Sequence, residues 1–180
     1  MWELKSPDRV KLIIGILAAD KRCLDAATKA VGEKFGDFDF VSNVWAFTQT
    51  DYYREQTGTN ILRQFVSIER AISPGRLAKM KHKTNKIEQI LAEELDVELP
   101  RPVNLDPGII SPANLVLATT KNFAHRIYIG KKMFAEVTLT YENRMWKTFE
   151  YTFPDYRQEC YFEFFDKVRN RLLEQLKSRR

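Results

Sequence analysis

Hydrophobic positions near the start of the chain change their spacing once, and the change predicts a strand followed by a helix. Residues 10–20, VKLIIGILAAD, are apolar on both faces of an extended chain, which is typical of a central strand buried from both sides. Asp20 stands where a helix N-cap accepts backbone N–H groups. From residue 21 to 35 the apolar side chains recur every three or four positions, which predicts an amphipathic helix that ends at Gly36.

The same two periods continue up to residue 110. Residues 38–50 and 61–70 alternate apolar and polar side chains, which predicts two strands. Ser73 and Pro74 are typical of a helix start, and the apolar stripe of that helix is Leu77, Met80, Ile87, Leu91 and Leu95. Residues 101–110 are extended again. The order β-α-β-β-α-β predicts an α+β fold of the ferredoxin-like sandwich type.

The C-terminal part is predicted to add an antiparallel β extension and a terminal helix. Ser111 and Pro112 predict a short helix, and residues 124–129, 133–141 and 145–149 predict a meander with turns at GKK and ENR. An apolar stripe from Tyr161 to Leu176 predicts the last helix. We therefore predict a single domain over residues 1–180, with a ferredoxin-like core at about 8–110 and the extension at about 111–178.

Composition narrows the class of protein. A hydrophobic content of 44% is enough for a full core, and the net charge of +5 favours anionic partners. The two cysteines are far apart and the two histidines are too few for a histidine-rich metal centre, so we expect neither a disulfide nor a metal site. The longest apolar run is too short to span a bilayer, so we expect a cytoplasmic protein with no membrane partner.

The stretch 118–126, ATTKNFAHR, concentrates hydrogen-bonding side chains at one predicted junction. Lys121, His125 and Arg126, together with Thr120 and Asn122, can converge there on a phosphate or a carboxylate. The alternative is that Lys121 complements a helix C-terminus, while His125 and Arg126 lie on opposite faces of a strand. The sequence leaves both explanations open.

Asn104 and Asp106 lie two residues apart on extended chain, hence on one face, before a predicted Pro-Gly turn. Such a pair can bind a ribose hydroxyl or a hydrated metal ion. The alternative is an Asx turn in which Asp106 accepts backbone N–H groups, and for Asp106 alone this explanation is favoured.

Two further segments carry carboxylate, phenol and guanidinium groups in predicted loops. TDYYRE contributes Asp51, Tyr52 and Tyr53, and FPDYRQE contributes Asp155, Tyr156 and Arg157. The second segment is also a credible helix start with Asp155 as its N-cap. Glu136 lies among apolar residues on its strand, where it is either a general base with a raised pKa or, as we expect, the salt-bridge partner of Arg126.

Basic residues suggest a different partner. Lys79, Lys81, Lys83, Lys86, Lys131, Lys132 and the C-terminal arginines form a set that can contact nucleic acid, although such runs are more often solvated faces. The chain has no GxxxxGK[ST], GxGxxG, HExxH or GxSxG motif, and it lacks the aromatic signature of RNA-recognition modules. P-loop, dinucleotide-fold, zincin and serine-hydrolase chemistry are therefore not indicated.

The segments KLIIGILAAD, TDYY, NLDPG, LVLATTKNFAHRIYIG, AEVTLTY and PDYR resemble a bacterial domain-of-unknown-function family of similar length, whose members are sometimes labelled GTP-binding proteins. The resemblance covers nearly the whole chain. It implies a bacterial cytosolic protein, with Asp51 and Tyr52 or Tyr53 among the family's characteristic positions.

These observations predict a protein that binds a phosphate-bearing small molecule, such as a purine nucleotide; GTP in particular is implied by the family label alone. Lys121 and Arg126 are expected to bind phosphate, while Asn104, Asp106 and Asp51 are expected to meet a sugar or a hydrated Mg²⁺ that arrives with the nucleotide. Whether the protein is an enzyme stays open; the catalytic candidates are His125, Asp51 and Glu136. The alternatives are a non-enzymatic nucleic-acid-binding module and an oligomeric interaction protein.

Overall fold

The computed structural model describes residues 3–49 and 54–178. In this part of the chain nine strands form one sheet with the order β2-β4-β1-β5-β6-β8-β7, in which β3 pairs with β4 and β9 pairs with β8. Every pairing is antiparallel. The strands are β1 (Lys11–Ala18), β2 (Phe38–Val41), β3 (Trp45–Ala46), β4 (Leu62–Ile68), β5 (Val103–Ile110), β6 (Asn114–Thr119), β7 (Ile127–Tyr128), β8 (Phe134–Glu142) and β9 (Met145–Thr148).

Helices cover both faces of this sheet. They are α1 (Lys21–Phe35), α2 (Arg54–Thr57), α3 (Leu77–Glu94) and α4 (Glu159–Lys177), with 3-10 turns at Pro74–Arg76 and Pro154–Arg157. On one face, Leu12, Ile14 and Ile16 pack with the apolar stripes of α1 and α3. On the other face, Phe65 packs with Tyr161 and other aromatic residues of α4. The continuous apolar run of β1 follows from this position, because both of its faces are buried.

The coarse fold prediction is confirmed, since helices and a large antiparallel sheet make up the chain. The Asp20 carboxylate accepts the Cys23 N–H at 2.7 Å, as expected of an N-cap. The ferredoxin-like topology is not confirmed, because the sheet contains nine strands. The division of the chain near residue 110 stays a prediction. Within the described residues no helix is long and apolar enough to cross a membrane.

The short helix predicted at Ser111 and Pro112 is wrong, because this segment is the turn of the β5–β6 hairpin. The Ser111 N–H donates to the Asn114 carbonyl at 2.9 Å, and the Ser111 hydroxyl accepts the N–H groups of Ala113 and Asn114 at 3.1 and 3.0 Å. A serine hydroxyl that can cap a helix can equally close a turn. Lys121 therefore follows a strand and not a helix.

The predicted Pro-Gly turn after Asp106 is also wrong, because Pro107 and Gly108 lie inside β5. A Cβ atom at position 108 would lie 2.7 Å from a methyl carbon of Leu117 and 3.1 Å from the Val116 carbonyl oxygen, so a larger residue would force the neighbouring strand to adjust. The Asx turn favoured for Asp106 is thereby excluded. Asn104 and Asp106 do lie on one face, as their spacing predicts.

Candidate functional site

The sheet opens between β5 and β6. These strands pair only over Gly108–Ile110 and Leu115–Leu117, although β5 begins five residues earlier, at Val103. The backbone N–H and C=O groups alternate in direction along a strand, and those of Leu105 and Ser111 point away from β1. Pro107 has the same parity, so the N–H that would continue the hairpin ladder toward β6 is missing. The two strands diverge at this residue.

Side chains of helix α3 form hydrogen bonds with the backbone groups of β5 that this opening leaves unpaired. The Leu105 N–H donates to Glu88 Oε1 at 2.8 Å, and Lys81 Nζ donates to the Leu105 carbonyl at 2.8 Å. Both side chains are buried, and they replace the hydrogen bonds that a paired strand would supply. The opening is therefore a built part of the fold.

A cavity of about 690 Å³ occupies the opening. Its wall comes from α3, the segment leading into β5, the end of β6 with its following loop, and the 3-10 turn Pro154–Arg157. Five cationic side chains line it, namely Arg63, Lys81, Arg101, Lys121 and Arg126. Four acidic ones do so as well, namely Glu88, Asp106, Glu136 and Asp155. The volume falls within the range of small-molecule sites, which is roughly 300–1,000 Å³.

Glu88 organises the α3 side of the cavity. Its Oε2 accepts two hydrogen bonds from Arg101, at 2.6 Å from Nη2 and 3.0 Å from Nε, and Lys81 Nζ lies 3.8 Å from its Oε1. Burial raises the pKa of Glu88, and the positive charges of Lys81 and Arg101 offset this only in part. One carboxylate oxygen thus accepts two N–H groups of Arg101 and holds this side chain at the rim.

Asp106 organises the strand side. Its Oδ2 accepts a hydrogen bond from Asn104 Nδ2 at 2.6 Å, and its Oδ1 lies 3.3 Å from Lys81 Nζ. Burial works to raise the pKa of Asp106, but the charges of Lys81, Arg63 and Arg101 outweigh it and hold the pKa below its usual value. Asp106 is therefore a carboxylate over the whole physiological pH range.

Arg63 and Asp155 form a buried ion pair at the inner end of the cavity. Arg63 Nη2 donates to Asp155 Oδ2, and the side chains are 2% and 8% exposed. The guanidinium carbon lies 5.2–5.6 Å from the ring centres of Phe47, Phe65 and Tyr156. Burial works to lower the pKa of Arg63, but the Asp155 carboxylate raises it, so this arginine is permanently charged.

The packing around Arg63 leaves little space. A Cβ atom at Gly15 would lie 2.9 Å from Arg63 Nη1 and 3.0 Å from the Tyr156 hydroxyl, so the close approach of these groups requires glycine in β1. In the described structure Arg63 Nε, Arg63 Nη1 and the Tyr156 hydroxyl are buried without a hydrogen-bond partner. The aromatic rings compensate part of this cost through cation–π contacts.

A third cluster lies near the mouth of the cavity. Glu136 is 1% exposed, and its Oε2 lies 2.9 Å from both Arg126 Nε and His125 Nε2. Arg126 Nη1 also donates to the Lys121 carbonyl at 3.1 Å, which ties the loop after β6 to β8. The His125 ring stacks on Tyr151 at 4.1 Å between ring centres. The predicted salt bridge between Glu136 and Arg126 is confirmed. Of the two alternatives left open for His125 and Arg126, the one that places them on opposite faces of a strand is excluded, because both side chains contact Glu136 Oε2.

Eight of the residues singled out from the sequence line this one cavity: Asn104, Asp106, Thr120, Lys121, Arg126, Glu136, Asp155 and Tyr156. Asp51, Tyr52 and Tyr53 lie outside the described residues. Their part in a ligand site, and that of the eight, stays a prediction.

Three predicted residues do not line the cavity. His125 contacts Glu136 from outside it, and Asn122 is exposed beside it. Arg157 donates to the backbone carbonyls of Thr152 and Glu150 at 2.9 and 2.6 Å, which stabilises the chain entry into α4. Asp155 is not the predicted N-cap, since it lies within the 3-10 turn and pairs with Arg63.

Sequence reasoning missed Arg63, Glu88 and Arg101, and it assigned Lys81 to an exposed basic face. One signal was present, because Lys81, Thr84 and Glu88 are spaced three and four residues apart and all are buried. They form a polar stripe beside the apolar stripe of α3. Arg63 carried no comparable signal, since inward and outward positions of a strand cannot be told apart by an arginine alone.

Comparison with known proteins bears on the family. The model of a family described as Domain of unknown function (DUF4416) matches residues 8–172. Neither the curated proteins nor the solved structures contain a match to the chain. The family resemblance predicted from the sequence segments is confirmed by the first finding. The GTP-binding label and the bacterial origin stay predictions.

Proposed function

We propose that this chain, which belongs to the DUF4416 family of domains of unknown function, binds a phosphate-bearing small molecule in the cavity between β5 and β6. The observation that carries the proposal is the convergence of five cationic side chains from four separate segments on one cavity of about 690 Å³. Cationic side chains from separate segments meet at one cavity only because the tertiary structure brings them together, whereas a single solvated charge can occur anywhere on a protein surface. A ligand of nucleotide size fits this volume.

In this proposal the phosphate group of the ligand binds at the mouth of the cavity and not at its inner end. At the inner end Arg63 is neutralised by Asp155, and Lys81 lies beside Asp106 and Glu88. A phosphate there would face these carboxylates, and two like charges 4 Å apart repel by about 4 kcal/mol at an effective dielectric constant of 20.

The mouth offers Lys121, which is exposed, and Arg101, which pairs with Glu88 through Nε and Nη2 but keeps a side chain that is 33% exposed. Thr119 and Thr120 add hydroxyl groups at the same rim. Cations that are partly solvated can bind phosphate with a smaller desolvation cost than buried ones. Lys121 and Arg101 are therefore the proposed phosphate contacts, with Arg126 holding the loop that carries Lys121.

The inner part of the cavity suits the uncharged part of such a ligand. Asn104 and Asp106 present hydrogen-bonding groups there that suit sugar hydroxyls, while the exposed Gln89 and Phe153 offer an amide and an aromatic ring for a purine nearer the solvent. No group of three or more metal-ligating side chains occurs within the described segments. A Mg²⁺ ion would therefore enter with the nucleotide phosphates, as this ion commonly does.

A thermal-shift panel tests the proposal. The panel contains nucleoside mono-, di- and triphosphates, sugar phosphates and inorganic phosphate, each with and without Mg²⁺. A ligand at 100 times its Kd stabilises the folded state by about 2.7 kcal/mol, which for a chain of this size raises Tm by roughly 5–10 °C. The variant Lys121→Ala/Arg101→Ala should lose most of this shift.

The matched control is Lys147→Ala/Lys167→Ala, which removes the same formal charge at exposed positions remote from the cavity lining. The control should keep the shift. If no phosphate-bearing compound shifts Tm, or if both double variants behave alike, the cavity is not a phosphate-ligand site.

A further inference from the structure

The exposed surface of the first part of α3, before Glu88, carries positive charge and no acidic residue. Between Glu69 and Glu88 the sequence contains no Asp or Glu. Arg76, which directly precedes α3, and Lys79, Lys83 and Lys86 follow one another at intervals of three and four residues. They therefore form one stripe on the helix, about 15 Å long at a rise of 1.5 Å per residue.

A hairpin supplies a second wall beside this stripe. The turn between β7 and β8 is closed by a hydrogen bond from the Met133 N–H to the Gly130 carbonyl at 3.0 Å. His82 of α3 fixes the turn in place, because its Nε2 donates to the Lys131 carbonyl at 2.7 Å. Lys79, His82, Lys131 and Lys132 line the space between helix and hairpin, which we call the basic cleft and which measures about 490 Å³.

The turn is conformationally costly for the residues it contains. Lys131 and Lys132 both have left-handed backbone angles, with φ of 54° and 60°. A residue with a side chain loses roughly 1–2 kcal/mol in this region, and such turns favour Asn-Gly. The hairpin between β8 and β9 places Asn143 and Arg144 at the corresponding positions, with φ of 52° and 63°. Of these two turns, the one with Lys131 and Lys132 contacts α3 and adds two positive charges beside it.

The charges of the basic cleft and its stripe are not compensated internally. In the described structure Lys79, Lys83, Lys86, Lys131 and Lys132 form no salt bridge, whereas Lys21 and Lys29 on α1 pair with acidic residues one turn away. Burial lowers the pKa of Lys83, and the nearby Lys34, Lys79 and Arg76 lower it further. Positive charge is thus crowded here, which favours binding of a polyanion.

We propose that the basic cleft and the adjoining stripe of α3 bind the phosphate backbone of a nucleic acid without reading its bases. A single phosphate would contact one or two of these cations. A row of four long cationic side chains over about 15 Å can instead contact up to four successive phosphates along one strand. The linear spacing, without acidic partners among the described residues, suits a repeating anion. This surface is separate from the cavity, so the proposal does not depend on the small-molecule ligand.

Fluorescence anisotropy with a labelled 20-base-pair DNA duplex tests the proposal. Four phosphate contacts predict a slope of roughly −3.6 in a plot of log K against log salt concentration. The variant Lys79→Ala/Lys86→Ala/Lys132→Asn should weaken binding to any sequence alike and reduce the magnitude of the slope by about 1 for each phosphate that is no longer bound. Asparagine is used at position 132 because it tolerates the left-handed angle.

The matched control is Lys147→Ala/Lys167→Ala/Lys177→Ala, which removes three exposed lysines elsewhere. It should keep the slope of the unsubstituted protein. If both triple variants lose the same affinity, binding reflects net charge and the assigned surface is wrong. Binding to vesicles containing phosphatidylserine without binding to the duplex would likewise overturn the proposal.

A second variant separates the hairpin from the helix. Lys131→Asn/Lys132→Gly gives the turn its preferred residues, so Tm should rise while affinity for the duplex falls. A rise in Tm with unchanged affinity would remove the hairpin from the site. Because this variant is expected to fold better than the original, lost binding could not be attributed to unfolding.

Discussion

Helix α3 serves two regions that handle charge in opposite ways. On the cavity side, Lys81 and Glu88 are buried and pair with each other, with Asp106 and with Arg101. On the cleft side, Lys79 and Lys86 are exposed, and neither forms a salt bridge with any residue that the structure describes. The buried ion pairs hold their side chains in one geometry, and the exposed lysines create a positive electrostatic potential at the surface. Paired charges therefore suit recognition of one defined ligand, while unpaired ones suit association with an extended anion.

The contrast is also energetic. A buried ion pair that loses one partner leaves an uncompensated charge in a poorly solvated site, which typically costs 3–5 kcal/mol. An exposed charge is hydrated and screened, so its removal changes stability by only tenths of a kcal/mol. Substitutions on the two sides should thus differ about tenfold in their effect on folding.

The largest effect is expected for Asp155→Ala, which strands the Arg63 guanidinium among aromatic rings. We expect a loss of about 3–5 kcal/mol in the free energy of unfolding, measured by urea denaturation. The control Asp25→Ala breaks the exposed pair with Lys21 and should cost less than about 0.5 kcal/mol. Equal costs for the two variants would mean that the cavity pair is solvated after all, and the comparison would fail.

An intermediate effect with a defined pH dependence is expected for Asp106→Asn. The pKa of Asp106 is lowered in the folded protein, so its charged form stabilises the fold above the ordinary value of 3.8. This contribution is lost as pH falls through the lower folded value. The variant should be less stable by about 1–3 kcal/mol at pH 6, and the difference should shrink below pH 3.8. The exposed Asp96→Asn is the control, and a difference that grows toward low pH would contradict the assignment.

The smallest effect is expected for Lys79→Glu, on the cleft side. The new carboxylate would lie one turn before Lys83, an arrangement that stabilises helices by about 0.2–0.5 kcal/mol at low salt. Thermal unfolding in 20 mM and 1 M NaCl checks this, because the gain should disappear when charges are screened. A gain that persists in 1 M NaCl would show that repulsion among the cleft cations is not its source.

The strongly periodic elements could be predicted from the sequence, because each is specified by its own residues. The alternation and stripes of β1, α1, α3 and α4 place their apolar side chains in the core with nearly the predicted bounds. The segment 38–50 was less clear, since it divides into β2 and β3 around residues 42–44. Local periodicity does not encode such an interruption.

The site could be predicted only in part, because its shape depends on where separate segments meet. The pair of Arg126 and Glu136 could be predicted because both residues belong to one predicted meander, whereas Lys81, the partner of Asp106, lies on a separate helix. Ser111 and Pro112 carry the same signals whether a helix or a hairpin follows, and the outcome is decided by pairing of β6 with β8. Burial of Arg63 requires Gly15 on the neighbouring strand, which the sequence near residue 63 cannot reveal.

Pro107 gives the cavity a backbone origin. Because one imino acid ends the hairpin ladder, the gap between the strands persists whichever side chains line it. Substitutions of the polar lining residues would thus change which ligand the cavity binds, while the opening between β5 and β6 would remain. We expect relatives that keep this proline to keep the cavity even where they bind a different ligand.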